Sequence, residues 1–467
     1  MRATPALFSL LLLAGCAAGP DYVAPAPDAP ADWINGKSAA HGEEVTQWWR
    51  RLHDPVLDEL IAQALHDSPD LRSARARLQE VRARYDLADA GLLPSLNAGL
   101  SASRSKVGTA APANQFNAGF DASWEIDLFG GLRRAREAAD ADAGATLANL
   151  YNTQVSLAAE VALNYVQWRS LQNRLQIAQD NLAAQRETLQ ITQWRAQAGM
   201  VTSVEVEQAR ANLQQTLAGI PTLETSLVKA ENRIAVLLGQ RPGSLHERLS
   251  APAPLPPLPD EIALAIPLDT LRQRPDVQAA ERKLAAETAR IGQQQAARYP
   301  SFSLSGSVGW KSYSLATLGG VDTLTRSLST SLSQSLFDGG RLSSRVRAQE
   351  AVQQQAAIAY QQTVLLALEE VENALTAYAN SHRRRAALQE AMGAARNAAL
   401  LARQRYEGGL IDFQSVLDTD RTRLSSEDSL ASAELDERAA LIALYKAMGG
   451  GWDEQSALAP TTEGKQP

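Results

Sequence analysis

Little in this sequence can do covalent chemistry. The one strong exception is Cys16, the only cysteine in 467 residues. A single thiol allows no internal disulfide. It closes the run Leu12-Leu13-Ala14-Gly15-Cys16, which resembles a bacterial lipobox, a signal for cleavage before the cysteine and lipid attachment to its sulfur. Ahead of it, Arg2 supplies a positive end and Ala6–Ala14 an apolar stretch too short to span a bilayer, so residues 1–15 read as an export signal. The other groups with catalytic potential are dispersed. His41, His53, His66, His246 and His382 form no HExxH or Cys/His pattern, and neither a GxSxG elbow nor a GxxxxGK loop occurs. Gly306-Ser307-Val308-Gly309 has no lysine partner, and Gly339-Gly340 fits a strand-to-helix turn. The sequence predicts no enzyme, no metal site and no cofactor. A formal charge of −7 and a pI near 5.5 also exclude a nucleic-acid partner.

What the chain positions instead is a set of alternating strands. In Ser301–Lys311, Phe302, Leu304, Val308 and Trp310 share one parity, while Ser301, Ser303, Ser305 and Ser307 share the other. A period of two means a strand with two unlike faces, and serine is too small and polar for a soluble core. The pattern recurs at Leu96–Ala102, at Phe116–Ile126 and at Leu324–Leu336 with Ser327–Ser335 between. An apolar face backed by a small polar one suits a membrane barrel strand; the other reading is a half-buried soluble sheet. Four strands close no barrel, and lipid tolerates no open edge, so several chains must share one barrel.

Between the strands lie helices. Leu57, Leu60, Ile61, Ala64 and Leu65 begin one, and Leu71, Ala74, Leu78, Val81 and Tyr85 continue in a second after Pro69. No proline occurs between Pro112 and Pro221, so a helix from about Arg133 to Ala198 is expected, about 100 Å long at 1.5 Å per residue. No compact domain holds such a helix; it suits a coiled coil or the wall of a tunnel. A return helix from about Ser203 to Leu238 follows. The order then repeats. Leu271, Pro275, Asp276, Ala280, Leu284 and Pro300 match Leu65, Pro69, Asp70, Ala74, Leu78 and Pro94 at an offset of 206. Gly409, Val416 and Gly449 match Gly199, Val206 and Gly239 at 210. The expected division is a signal at 1–15, an extended lipid-anchored segment at 16–56, helices at 57–93, a β-hairpin at 94–128 and a helical hairpin at 129–239. A proline-rich linker at 240–267 leads to the second copy at 268–299, 300–338 and 339–449, with a tail at 450–467. The fold class is mixed: all-α plus transmembrane β.

Several stretches carry a family resemblance. They are LLAGCAAGPDY at 12–22, QWWRRLHDPVL at 47–57, WEIDLFGG at 124–131, IPLDTLRQRPDVQAAERKLAA at 266–286 and SLFDGGR at 335–341. Together they resemble the TolC-type outer membrane efflux proteins, in the NodT-like lipoprotein branch. The resemblance runs from the lipobox to about Trp452. It implies a homotrimer that shares one twelve-stranded barrel, four strands per chain, on a periplasmic helical tunnel. It also implies a Gram-negative outer membrane location with lipid contact, favoured by Ala17 after Cys16. The implied partners are a periplasmic adaptor and an inner membrane pump, usually of the resistance-nodulation-division class. The implied cargo is drugs, dyes and other amphiphiles. A conduit for type I protein secretion is one alternative. A lipid-anchored coiled-coil scaffold with no pore is another, although it would have no use for serine-faced strands.

Site expectations follow. Cys16 carries lipid. Trp124 and Tyr299 are expected near the periplasmic rim of the barrel, and Trp310 and Tyr313 near the outer rim, because rings with a polar edge favour membrane interfaces. The resemblance places adaptor docking at the hairpin tips, on Gly199, Met200 and Val201 and on Gly409, Leu410 and Ile411. It also places a periplasmic gate at Asp418, three copies around one axis, with Tyr406 helping to latch it. Ser415 and Ile411 stand where the TolC type carries an aspartate and a latching arginine. The latch is therefore expected to rest on apolar contacts of Leu410, Ile411 and Phe413.

Overall fold

The structure is a computed structural model, and it describes residues 17–27, 29–35, 45–109, 111–259 and 267–453. The signal, Cys16, part of the linker and most of the tail lie outside the described residues. The helices are α1 (Pro55–Asp67), α2 (Pro69–Ala90), α3 (Gly131–Gln197), α4 (Ser203–Leu237), α5 (His246–Leu249), α6 (Pro267–Gln273), α7 (Pro275–Ala296), α8 (Arg341–Glu407) and α9 (Phe413–Ala447). The strands are β1 (Ser95–Ser105), β2 (Ala113–Ile126), β3 (Ser301–Ser312) and β4 (Leu324–Ser333). The duplication is visible in the lengths: α2 and α7 each have 22 residues, α3 and α8 each 67, and α4 and α9 each 35. No described helix is long and apolar enough to cross a membrane.

The chain divides into two compact units, and each draws on both copies of the repeat. The first comprises Met1–Ala26, Ala76–Ala148 and Gln278–Thr363, counting only the described residues. Its four strands form one antiparallel sheet in the order β1-β2-β3-β4. The register puts like residues together. Phe120 stands between Ala98 and Val308, Ile126 opposite Phe302, and Phe302 opposite Leu332. The other face pairs Ser95 with Ser123 and Ser307 with Ser327, their hydroxyls 2.8 and 2.7 Å apart. β4 stops short of the expected strand. Ser333 pairs with Ser301, where β3 begins, so residues beyond it have no partner strand, and Leu336 and Phe337 are each 93% exposed.

Helices of this unit meet through small residues. Ala141, Ala285 and Ala286 form a buried cluster with Tyr22 packed on it. The N-terminal segment binds here. Ala18 N–H donates to Phe129 O at 2.9 Å, and buried Arg134 donates to Asp21 and to Ala18 O. Gly19, at φ +93°, lies against Gly292; a Cβ on Gly292 would sit 2.7 Å from Ala18 O.

The second unit comprises Pro27–Arg75, Asn149–Val277 and Val364–Pro467, again within the described residues. Its core is aromatic. Trp48 is fully buried and stacks on Tyr445 at 5.2 Å, and Tyr151 stacks on Trp452 at 4.4 Å. Asp54 caps α1, accepting from the Val56 and Leu57 N–H groups, and its other oxygen accepts from Tyr165. Burial pushes the Tyr165 hydroxyl far above the ordinary tyrosine range. Arg274, from the Arg-Pro-Asp run, is buried and donates to Asp276, Glu370 and Ala447 O at 2.6–3.0 Å. Burial opposes its charge, but these carboxylates outweigh that and hold it protonated.

Candidate functional site

Both helical hairpins turn in the same way. Gly199 and Gly409 are left-handed, at φ +74° and +72°. Met200 N–H reaches back to Arg195 O and Gly199 N–H to Ala196 O; Leu410 and Gly409 repeat this on Arg405 and Tyr406, all at 2.9–3.0 Å. This double closure ends a helix by satisfying its last carbonyls, and glycine adopts the required φ without steric cost. The return helices start on capping residues. Thr202 N–H donates to Glu205 Oε1 at 3.5 Å. Asp412 accepts from the Ser415 N–H at 2.9 Å and its hydroxyl at 2.6 Å, which holds the Asp412 carboxyl below its usual range.

Around the second turn a packed cluster forms. Tyr406, Phe413, Val416 and Leu417 are buried with Ala209 of α4, and Leu189 and Ile411 pack against them. The Tyr406 and Phe413 rings are 5.5 Å apart. Arg195, at the end of α3, lies 4.5 Å over the Tyr406 ring and donates to Tyr406 O and Glu407 O at 3.1 and 3.3 Å. Tyr406 Oη is 3.5 Å from Glu205 Oε2. All four long helices thus contribute to one small cluster.

Of the expected apolar contacts, Phe413 and Ile411 take part and Leu410 does not: it is 77% exposed, because the left-handed Gly409 turns the chain away from α8. Met200 is likewise exposed, and Val201 is half-buried. Asp418 lies on the exposed side of α9, opposite buried Val416, and accepts from Gln414 at 2.9 Å. Higher in the same hairpins, buried Glu427 accepts from Asn181, Arg396 and Arg423, joining α3, α8 and α9.

The aromatics take two ends of the sheet. Trp124 is at the helix end, half-buried, its indole N–H donating to Leu92 O at 2.9 Å, and Tyr299 there stacks on Phe129 at 4.8 Å. Trp310, level with Ala118 and Leu324, and Tyr313 lie exposed at the loop end. Sequence reasoning gave Arg195, Glu205 and Asp412 no part in the latch. Asp412 had a visible signal, an acidic residue three before Ser415 at a helix start; Arg195 had none.

The outer membrane efflux protein model matches residues 60–240 and 266–450, one match for each copy of the repeat. The chain belongs to the outer membrane efflux protein family. The chain is 33% identical to the pyoverdine export outer membrane protein OpmQ of Pseudomonas putida, over 96% of this chain and 97% of that one. It is 32% identical to nodulation protein T of Rhizobium leguminosarum bv. trifolii, over 97% and 98%. Among solved structures it is similar to the outer membrane channel OprN, with a TM-score of 0.86 at 38% identity over 94% of this chain and 100% of that one. Like others of this family, the efflux protein is a transport conduit and not an enzyme. It forms trimers in the outer membrane of Gram-negative bacteria and works with a periplasmic adaptor and an inner membrane pump.

Proposed function

We propose that this chain is the passive channel through which small amphiphiles leave the cell, with three copies closing one twelve-stranded barrel. The observation that carries this is the sheet itself: one apolar face, one serine face, and two free edges, β1 and β4, in a single chain. Such edges need partners in lipid, and neighbouring copies supply them. Relatives are named for export of pyoverdine and toluene, which supports small organic cargo here. In this reading Cys16 holds lipid and the four aromatics sit at the two membrane interfaces. The exposed tips Gly199–Val201 and Gly409–Ile411 meet the adaptor, and Asp418 with the Tyr406 cluster forms the gate. The test is reconstitution in planar bilayers, with a gel run before and after boiling. A heat-dissociable trimer with steady single-channel conductance is expected; a trimer that never conducts would favour a scaffold and sink the proposal. In the same recordings Asp418→Ala is expected to lower cation selectivity and weaken block by multivalent cations from the tip side. Unchanged selectivity and block would remove Asp418 from the gate.

A further inference from the structure

The five charged side chains of the strands divide by face. Asp121, Glu125 and Lys311 share the serine face; Arg104 and Arg326 stand on the apolar one. Arg326 lies opposite Val308, between Leu324 and Leu328 on its own strand. Arg104 follows Leu100 and Ala102 and pairs with Asn114. Both are exposed, and neither has an ion pair or side-chain hydrogen bond among the described residues. No carboxylate shares their face of the sheet. Each sits on a free edge strand, near the end away from the helices: Arg104 one residue before the end of β1, and Arg326 two residues into β4.

An unpaired cation on a lipid-facing strand is strongly disfavoured at mid-bilayer and tolerated only near the headgroups. A long arginine stem reaches that level while its carbons stay on apolar surface. The guanidinium fork then meets what is plentiful there, the phosphate ester. We propose that Arg104 and Arg326 bind the phosphate groups of outer-leaflet lipid where neighbouring copies meet, with acyl chains lying on Leu100 and Leu328, which are 80% and 78% exposed. This rests on the barrel reading, because β1 and β4 are the edges that meet between copies. Each junction then carries one arginine from each flanking chain, and lipid phosphate bridges the joint.

The experiment uses the full-length trimer purified in detergent, incubated with bisphosphorylated lipid A or with the same lipid enzymatically dephosphorylated. Bound lipid is counted by native mass spectrometry, and conductance is recorded on the same preparations. The wild type is expected to retain several-fold more of the phosphorylated lipid. Arg104→Gln with Arg326→Gln is expected to abolish that preference while conductance stays normal, and the paired lysine variant to keep most of it. Equal retention of both lipids by the wild type, or an undiminished preference in the glutamine variant, overturns the proposal. So does displacement by millimolar orthophosphate, which would mark a free-phosphate site. A wild type that does not conduct is a separate failure, of the barrel reading.

Discussion

The two hairpin tips are copies of one design with different interiors. At an offset of 210, Gly199 answers Gly409, Arg195 answers Arg405 and Val206 answers Val416. The backbone closures match atom for atom. The side chains do not: Ala196 stands where the second tip has Tyr406, Ser203 where it has Phe413, and Glu207 where it has Leu417. The second tip therefore has a core and the first has none of its own. The first exposes Trp194, Met200 and Val204 and lends Arg195 and Ala209 to its neighbour. The two copies share the turn, and the residues that differ between them leave one tip packed and the other open.

Four measurements test this contrast. The largest effect is expected from Phe413→Ala. Phe413 is 1% exposed, and truncating a buried phenylalanine costs about 3–5 kcal/mol, so hydrogen exchange at the start of α9 should speed up sharply. Ser203→Ala, at the matching exposed position, should change little, and equal effects would erase the contrast. Next, Gly199→Ala and Gly409→Ala force a left-handed alanine at about 1–2 kcal/mol each, and should lower thermal stability by the same amount in both tips. Unequal losses would mean that the turns differ after all.

Arg195→Ala removes a ring contact of about 0.5–2 kcal/mol and two carbonyl hydrogen bonds. Arg405→Ala, its exposed counterpart, should be near neutral, as judged by urea midpoints of the two variants. The smallest effect is one of pH. The folded carboxyl of Asp412 is held below its ordinary 3.8 by its bonds to Ser415. Its contribution is present in full above that ordinary value and is lost as pH falls through the lower folded one. Exchange at the start of α9 should therefore be faster below about pH 4 than at neutral pH. Asp412→Asn should remove the difference.

Much of the fold was legible because both of its signals are local. Period two marks Phe302 to Trp310 as a strand, and repeated glycines and prolines mark the second copy. The end of β4 was not legible. Leu336 keeps the alternation, but strand length depends on whether a partner continues alongside, and β3 does not. The tips were half legible. Gly199, Gly409, Tyr406 and Phe413 stand out by type, yet Arg195 meets Tyr406 across 211 positions, a pairing no window along the chain contains. The fastening of Gly19 to Gly292 was hidden for the same reason.

The Arg274 bolt and the Trp48–Tyr445 stack say something about how this chain is born. Arg274 needs Ala447, 173 residues later, and Trp48 near the start rests on the last long helix. Asn35 likewise waits for Glu372, 337 residues on. Helices can form while the chain emerges, but the contacts that fasten them cannot exist until nearly all of it has arrived. A topology of such high contact order folds slowly and leaves apolar faces uncovered meanwhile. The contacts that fasten this chain are thus completed only once its last long helix has been made.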